Sequence, residues 1–353
     1  MRFPFQIKKL GEIIDFISGN QNINKGKAVI DGKYPAYSAS GQDIFLDAYK
    51  HEGPAIIVSW IGARCGKCFL TNGKWTAIAN TQILKIKSEK ECDYKYLFYF
   101  LNDEKKWPRI GGAQPYISKN GAKNIEIPLP SIKIQKRIVA RIEELFEKID
   151  KVKELRQKAQ EQTAQIFQSA LQEIFSKAEK KWKTEKLGNI VELHYGKGIP
   201  RKDRKVNGKY PIYGANGELG RTDKYFVEGK AIIIGRKGTA GAVNRVSGRF
   251  WPADVTYYVF GNKKIDIDFL FYAFEKINLS QLAIGIKPGI NRNKVYELKI
   301  PLPPLSEQKK IVAYLDGLRE KVEKLKQLQQ KQSEELIELK NSILDKAFKG
   351  ELI

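Results

Sequence analysis

Few side chains in this sequence are equipped to make or break bonds, and they are scattered. Cys65-Gly-Lys-Cys68 has the spacing of half a zinc site or of a redox dithiol. Zinc needs four ligands, and only Cys92, His51 and His194 remain to complete a set, none at a usual spacing. In an internal repeat described below, Gly241 and Asn244 stand opposite the two cysteines, so the shared fold does not need the thiols. Two histidines in 353 residues supply little acid–base chemistry near neutral pH. No glycine-rich fingerprint with a partner acid, no Walker A spacing and no nuclease-like cluster of acids is present. The expectation is a chain without catalytic residues, metal or bound cofactor.

The residues suited to recognition are more plentiful. Lys197-Gly-Ile-Pro-Arg-Lys-Asp-Arg-Lys205 is a Gly/Pro-broken basic loop in which Lys197, Arg201, Lys202, Arg204 and Lys205 can neutralise phosphates or reach base edges. Its counterpart in the first half of the chain carries Asn20, Gln21, Asn22, Lys25 and Lys27, and is richer in amides. Asn and Gln suit adenine edges, and Arg suits guanine. A second divergent pair sets Trp60, Arg64 and Lys67 against Arg236 and Lys237. A third sets Gln114 and Tyr116 against Lys287 and Arg292. We take these residues as the candidate DNA contacts.

Net charge agrees. The chain carries +23, distributed as +7 over residues 1–131, +4 over 132–182, +11 over 183–304 and +1 over 305–353. The excess sits outside the two helical segments, which points to a polyanionic partner. Three cysteines, the lack of a secretory leader and the lack of a long apolar run predict a cytoplasmic chain with no membrane association.

The elements that must position these residues are duplicated. Lys9-Leu-Gly-Glu-Ile-Ile-Asp-Phe-Ile-Ser-Gly19 matches Lys186-Leu-Gly-Asn-Ile-Val-Glu-Leu-His-Tyr-Gly196. Gly53-Pro-Ala-Ile-Ile-Val58 matches Gly229-Lys-Ala-Ile-Ile-Ile234, and Trp75 matches Trp251, at offsets drifting from 177 to 173. Each copy reads as short strands such as 55–60 and 231–234, then a helix (93–102, 266–276), then a last strand (124–128, 296–301). That strand runs through prolines into a long helix, at Ile127-Pro-Leu-Pro-Ser-Ile-Lys-Ile-Gln-Lys-Arg-Ile-Val139 and at Ile300-Pro-Leu-Pro-Pro-Leu-Ser-Glu-Gln-Lys-Lys-Ile-Val312. Steps of four and three then mark a coiled-coil seam. In the first helix it runs through Ile138, Ile142, Leu145, Ile149 and Val152, weakens at Arg156, Ala159 and Thr163, and resumes at Ile166, Ala170 and Ile174. In the second it runs through Ile311, Leu315, Leu318, Val322 and Leu325, weakens at Gln329 and Gln332, and resumes at Leu336, Leu339 and Ile343. The prediction is an α+β chain in four segments: a globular domain (1–131), a helix (132–182), a homologous domain (183–304) and a second helix (305–353). Two such helices in one chain can pair with each other as an intramolecular coiled coil.

This order, the Pro-Leu-Pro-Pro-Leu-Ser-Glu-Gln308 launch and the tail Ala347-Phe-Lys-Gly-Glu-Leu352 resemble the specificity (S) subunit of type I restriction-modification enzymes. The first copy departs at Ser131 and Ile134, but keeps Gln135, Ile138 and Val139. The resemblance implies a non-catalytic subunit whose two target-recognition domains each read half of a split, asymmetric sequence in double-stranded DNA. It implies helices that pair antiparallel about a pseudo-twofold axis, set the spacer and dock two methyltransferase (M) subunits, which hold S-adenosylmethionine and methylate adenine, with a motor-nuclease (R) subunit joining for cleavage. A helix of ~45 residues is ~70 Å long, enough to separate two major-groove sites by a turn or more. Other readings left open by the residues are a stand-alone nuclease or methyltransferase, a protein that coats nucleic acid without sequence preference, and the specificity module of a related methyltransferase/nuclease system.

Overall fold

A computed structural model describes residues 5–23, 26, 32–283 and 288–352. The chain divides into two compact units, Met1–Leu155 with Gln332–Ile353, and Arg156–Lys331. Each unit therefore holds one globular domain and a stretch of both long helices, which run Ile132–Lys181 and Leu305–Phe348.

The first unit is built on a strand with every residue buried, Ala55–Ser59. It lies inside a four-stranded antiparallel sheet ordered Ile14–Ser18, Thr81–Ile86, Ala55–Ser59, Cys68–Thr71. Alternate side chains leave a strand on opposite faces, and both faces are covered here. Ile56 and Val58 join the core beneath the helix Tyr94–Leu101. Ala55 and Ile57 join Trp75 and Ile83 under a second sheet ordered Gly41–Leu46, Tyr34–Ser38, Lys74–Ala77, His51–Glu52. A strand covered on both faces reads as an unbroken apolar run, which is why its sequence signal is strong.

The second unit repeats the plan. Its sheets are ordered His194–Tyr195, Thr256–Phe260, Ala231–Gly235, Val243–Val246 and Gly217–Thr222, Tyr210–Gly214, Arg249–Pro252, Val227–Glu228. Ile232 and Ile234 face the helix Ile267–Ile277, while Ala231 and Ile233 face Phe250. Asp93 and Asp266 cap the two helices, accepting from the N–H of Tyr96 and from those of Asp268 and Phe269. The last strands are shorter than predicted, Glu126–Pro128 and Lys299–Pro301, because the helical turns Lys119–Lys123 and Arg292–Tyr296 take up the residues before them.

Each long helix is fixed to its domain by a glutamine in its first turn. Gln135 is fully buried. Its Oε1 accepts the Asp93 N–H at 2.9 Å, and its Nε2 donates to the carbonyls of Glu91 at 2.7 Å and Pro130 at 2.8 Å. Gln308 does the same, accepting from Asp266 at 2.7 Å and donating to Lys264 at 3.0 Å and Pro303 at 2.8 Å. The proline-bound carbonyl has no helical partner, and the glutamine supplies one. Ile134, which replaces the Glu307 of the second copy, leaves this bond set intact.

Within each unit the two long helices run antiparallel, and most seam positions meet. Ile138, Ile142, Ile149 and Ile343 are buried in the first unit, Leu315 and Val322 in the second, with Leu145, Leu336, Ile311 and Leu318 half-buried. Two parts of the predicted seam need correcting. Val152, Ile166, Leu325 and Leu339 stay 38–46 % exposed, because a two-helix seam covers its core residues from one side only. Toward the end of the first helix the buried side chains are Thr163, Phe167, Leu171, Phe175 and Ala178, one register from Ile166, Ala170 and Ile174. There the helix also packs on the globular domain of its unit, Phe175 stacking on Phe269 at 5.3 Å and Phe167 tilting onto Tyr272 at 6.0 Å. Phe348 makes the matching contacts in the first unit, edge-on to Tyr96 at 5.3 Å and Phe100 at 5.0 Å. In the polar layer of the second unit Gln329 Nε2 donates to Thr163 Oγ1 at 3.0 Å, and Thr163 donates to the Ala159 carbonyl at 2.8 Å. Such a bond fits one register of the helices and not its neighbours.

A buried group left without a partner costs ~1–3 kcal/mol. Gln135→Leu orphans the Asp93 N–H and the Glu91 and Pro130 carbonyls, so we expect it to lower stability by ~3 kcal/mol or more. Gln308→Leu should cost as much. The urea midpoint of each variant checks this, and an unchanged midpoint would show that the glutamines hold nothing.

Candidate nucleic-acid interface

The three divergent loop pairs come together at one end of each domain, on hydrogen bonds common to both. In the first unit the Asn20 N–H donates to Ala77 at 2.8 Å, the Trp60 N–H to Asn80 at 2.9 Å, and the Ile117 N–H to Trp60 at 3.0 Å. In the second, the Lys197 N–H donates to Pro252 at 2.9 Å, the Arg236 N–H to Val255 at 2.8 Å, and the Ile290 N–H to Arg236 at 3.0 Å. Isolated bridges Ile61–Tyr116 and Lys237–Gly289 add the same link. Two glycines permit the crossing. A Cβ on Gly19 would lie 2.2 Å from the Ile78 carbonyl oxygen, and one on Gly196 2.0 Å from that of Ala253. Thr81 and Thr256 hydroxyls donate to those same carbonyls at 2.6 and 2.7 Å. The backbone frame is thus held constant while the side chains on it differ.

Most candidate contacts are exposed there. Gln21, Asn22, Arg64, Gln114, Tyr116, Lys197, Arg201, Lys202, Arg204, Lys205 and Lys237 are solvent-facing, and Asn20, Lys67, Arg236 and Arg292 are half-buried. Several are already oriented. Arg64 Nη1 donates to the Ser40 carbonyl at 3.1 Å, Gln21 Nε2 to that of Gly19 at 3.1 Å, and Lys205 pairs with Asp223. Lys25, Lys27 and Lys287 lie outside the described residues. Trp60 departs from expectation. Its ring is half-buried, edge-on to Phe16 at 6.1 Å and Trp107 at 6.0 Å, so it serves the domain's packing more than a free contact. Sequence reasoning missed Tyr195, which is 49 % exposed and has the guanidinium groups of Arg236 and Arg292 at 5.5 and 5.2 Å from its ring centroid. An aromatic side chain next to the Gly196 crossing was the available signal.

The cysteines belong to the core. Cys65, Cys68 and Cys92 are buried, Cys65 donating to the Trp60 carbonyl at 3.2 Å and Cys68 to that of Leu101 at 3.4 Å. Burial pushes the Cys68 thiol far above its ordinary range and that of Cys92 up to about 12. The repeat alignment of these residues shifts by one. Gly66 and Gly241 make the same bond, to Ser59 and to Gly235, each at 2.8 Å, so Cys65 and Cys68 stand opposite Ala240 and Val243 rather than Gly241 and Asn244. Apolar positions in one domain match buried thiols in the other. Among the described residues no group of three His, Cys, Asp or Glu side chains could hold a metal ion, and no helix is long and apolar enough to cross a membrane.

Known proteins match this arrangement. The family model for the type I restriction modification DNA specificity domain matches twice, at residues 4–161 and 179–333. The MjaVIII type I restriction enzyme specificity subunit of Methanocaldococcus jannaschii is 25% identical over all of this chain and 94% of its own length. The EcoprrI specificity subunit of Escherichia coli is 28% identical over 70% of this chain and 65% of its own. A chain from a structure of type I R-M system assembly and conformational transition superposes with a TM-score of 0.80, at 21% identity over 99% of this chain and 100% of that one. The HsdS subunit from Thermoanaerobacter tengcongensis superposes at 0.64, with 22% identity over 99% and 98%. At these identities the two structures speak to the fold.

Thiolate, not thiol, is the reactive form. We therefore expect a thiol-reactive dye to label none of Cys65, Cys68 and Cys92 in the folded protein and all of them in denaturant. Rapid native labelling of Cys65 and Cys68 would contradict their placement in the core.

Proposed function

The chain belongs to the type I restriction-modification DNA specificity family, and we propose from this premise that each of its units reads one half of a split, asymmetric DNA sequence. It is a specificity subunit, and the family is non-catalytic. The observation that carries the two-part reading is the pair of loop clusters, set on matching main-chain hydrogen bonds but presenting different side chains. One frame used twice with the same side chains would read one sequence twice.

The long helices act as the spacer and as the dock for partners. Apolar side chains left open on them support this. Leu145, Ile149, Val152, Leu336, Leu339 and Ile343 line a groove of ≈ 340 Å³ in the first unit. Ala170, Ile174, Ile311 and Tyr314, with flanking lysines and Glu173, line one of ≈ 320 Å³ in the second. Two grooves suit two copies of a methyltransferase subunit. Those subunits hold S-adenosylmethionine and transfer its methyl group to adenine N6, and a motor-nuclease subunit joins for cleavage. This chain contributes recognition and alignment, and acts on DNA in the cytoplasm.

Seven residues of helix are ~10 Å, or about three base pairs at ~3.4 Å each. Deleting one heptad from each helix at equivalent positions should shorten the unread gap by about three base pairs and leave both half-sequences unchanged. Selection of bound duplexes from a random pool, using the chain with its methyltransferase partner, reads both quantities. An unchanged gap would sink the spacer role.

A further inference from the structure

We infer that Arg236, Arg292 and Tyr195 form a guanine-reading site in the second unit, with no counterpart in the first. This rests on the specificity reading above and assigns a base to one part of it.

The site is assembled from three segments. Tyr195 ends the edge strand that pairs with Thr256–Phe260 and sits opposite Tyr257. Arg236 directly follows the central strand Ala231–Gly235, and Arg292 opens the short helix Arg292–Tyr296. The Tyr195 ring has the Arg236 guanidinium carbon 5.5 Å from its centroid and that of Arg292 at 5.2 Å, with the Tyr257 ring edge-on at 5.0 Å. Each guanidinium is tethered to main chain, Arg236 Nη2 to the Asp254 carbonyl at 2.8 Å and Arg292 Nη1 to the Leu193 carbonyl at 3.4 Å. Tyr257 is held in turn by donation to the Ile290 carbonyl at 3.1 Å.

One feature calls for a ligand. Neither arginine has a carboxylate partner among the described residues, although two like charges share one ring. Elsewhere in the same unit Arg245, Arg249 and Arg319 are all paired with acids. An acceptor-rich group supplies what is missing. In the major groove guanine presents two adjacent acceptors, O6 and N7, and a planar guanidinium fork held in one orientation is the side chain that fits them.

Phosphate would satisfy the charge equally, and the repeat argues against it. A backbone contact carries no sequence information, so both domains could use the same one. Three of the positions are instead replaced outright, and at the fourth Arg292 is matched by Lys119, each following its helix cap, which keeps the charge and loses the planar fork. Trp60 stands where Arg236 does, on the same pair of main-chain hydrogen bonds. Ser18 stands for Tyr195 and Gln82 for Tyr257, paired in their strands as the tyrosines are. Loss of both guanidinium forks and both tyrosines on an unchanged frame suits a contact that discriminates.

The test uses the full chain with its methyltransferase partner, selecting bound duplexes from a random pool for the wild type and for Arg236→Lys, Arg236→Gln, Arg292→Gln and Tyr195→Ala. Lysine keeps the charge and loses the fork. We expect all four variants to relax a G·C preference in one half-sequence by about 10- to 100-fold. The other half-sequence and the salt dependence of binding should stay as in wild type. If affinity falls equally on all sequences with a shallower salt dependence, and Arg236→Lys behaves as wild type, the site binds phosphate and the inference is overturned. Unchanged motif and affinity overturn it as well. A wild type that selects no split motif would instead bring down the specificity reading on which the site rests.

Discussion

Everything that this chain positions depends on how each long helix leaves its domain. The proline just before each helix leaves a carbonyl that no helix or sheet satisfies, and in both copies a buried glutamine one turn later takes it up. The same side chain reaches across to the main chain just before the recognition-domain helix, at Asp93 and at Asp266. One amide therefore fixes the direction of the spacer helix against the domain that it carries. An alternative rotamer would strand three buried main-chain groups, so the geometry has a single low-energy solution. Aromatic contacts at the far ends of the helices, Phe175 on Phe269 and Phe348 on Tyr96, complete the grip within each unit.

On this fixed frame the loops vary freely. Main-chain bonds and two glycine crossings set where the loop residues stand, and none of these bonds depends on the side chain presented. Replacing Trp60 by arginine at the equivalent position changes what the loop end offers without changing where it is. A scaffold of this kind separates stability from surface chemistry, since the sheets are covered on both faces and the divergent loop residues stand at one end. The helices make a different compromise. Their seam is closed at isoleucine and leucine layers, crossed by a Thr163–Gln329 hydrogen bond, and left open at Val152, Ile166, Leu325 and Leu339. Seam positions exposed in the isolated chain are suited to a partner that covers them.

Much of this was legible in the sequence, and the exceptions have physical causes. Repeated landmarks gave the duplication, apolar runs such as Ala55–Ser59 gave the central strands, and the helices expected at 93–102 and 266–276 formed as Tyr94–Leu101 and Ile267–Ile277. Gln135 and Gln308 were visible as shared residues, but their bonds were not, because their acceptors and donor lie about 43 residues away as well as next door. The heptad reading failed after Thr163 because the helix there meets a domain as well as a helix, and the buried face moved to Phe167 and Leu171. At the candidate interface, the loops that converge were identified while the role of Trp60 was not. An indole beside basic residues looks like a contact until Phe16 and Trp107 close on it. Tyr195 was overlooked because its significance comes from Arg236 and Arg292, which are distant in sequence and adjacent only through the sheet.

The central claim is that two domains on one frame read two different sequences and direct a partner's chemistry to them. The most direct measurement is a map of methylated adenines across host DNA, with and without this chain, in cells that supply the methyltransferase subunit. The expected result is one split motif that depends on the chain, with unlike half-sequences at a fixed separation. A methylation pattern that is the same in its absence, or two identical half-sequences, would contradict it.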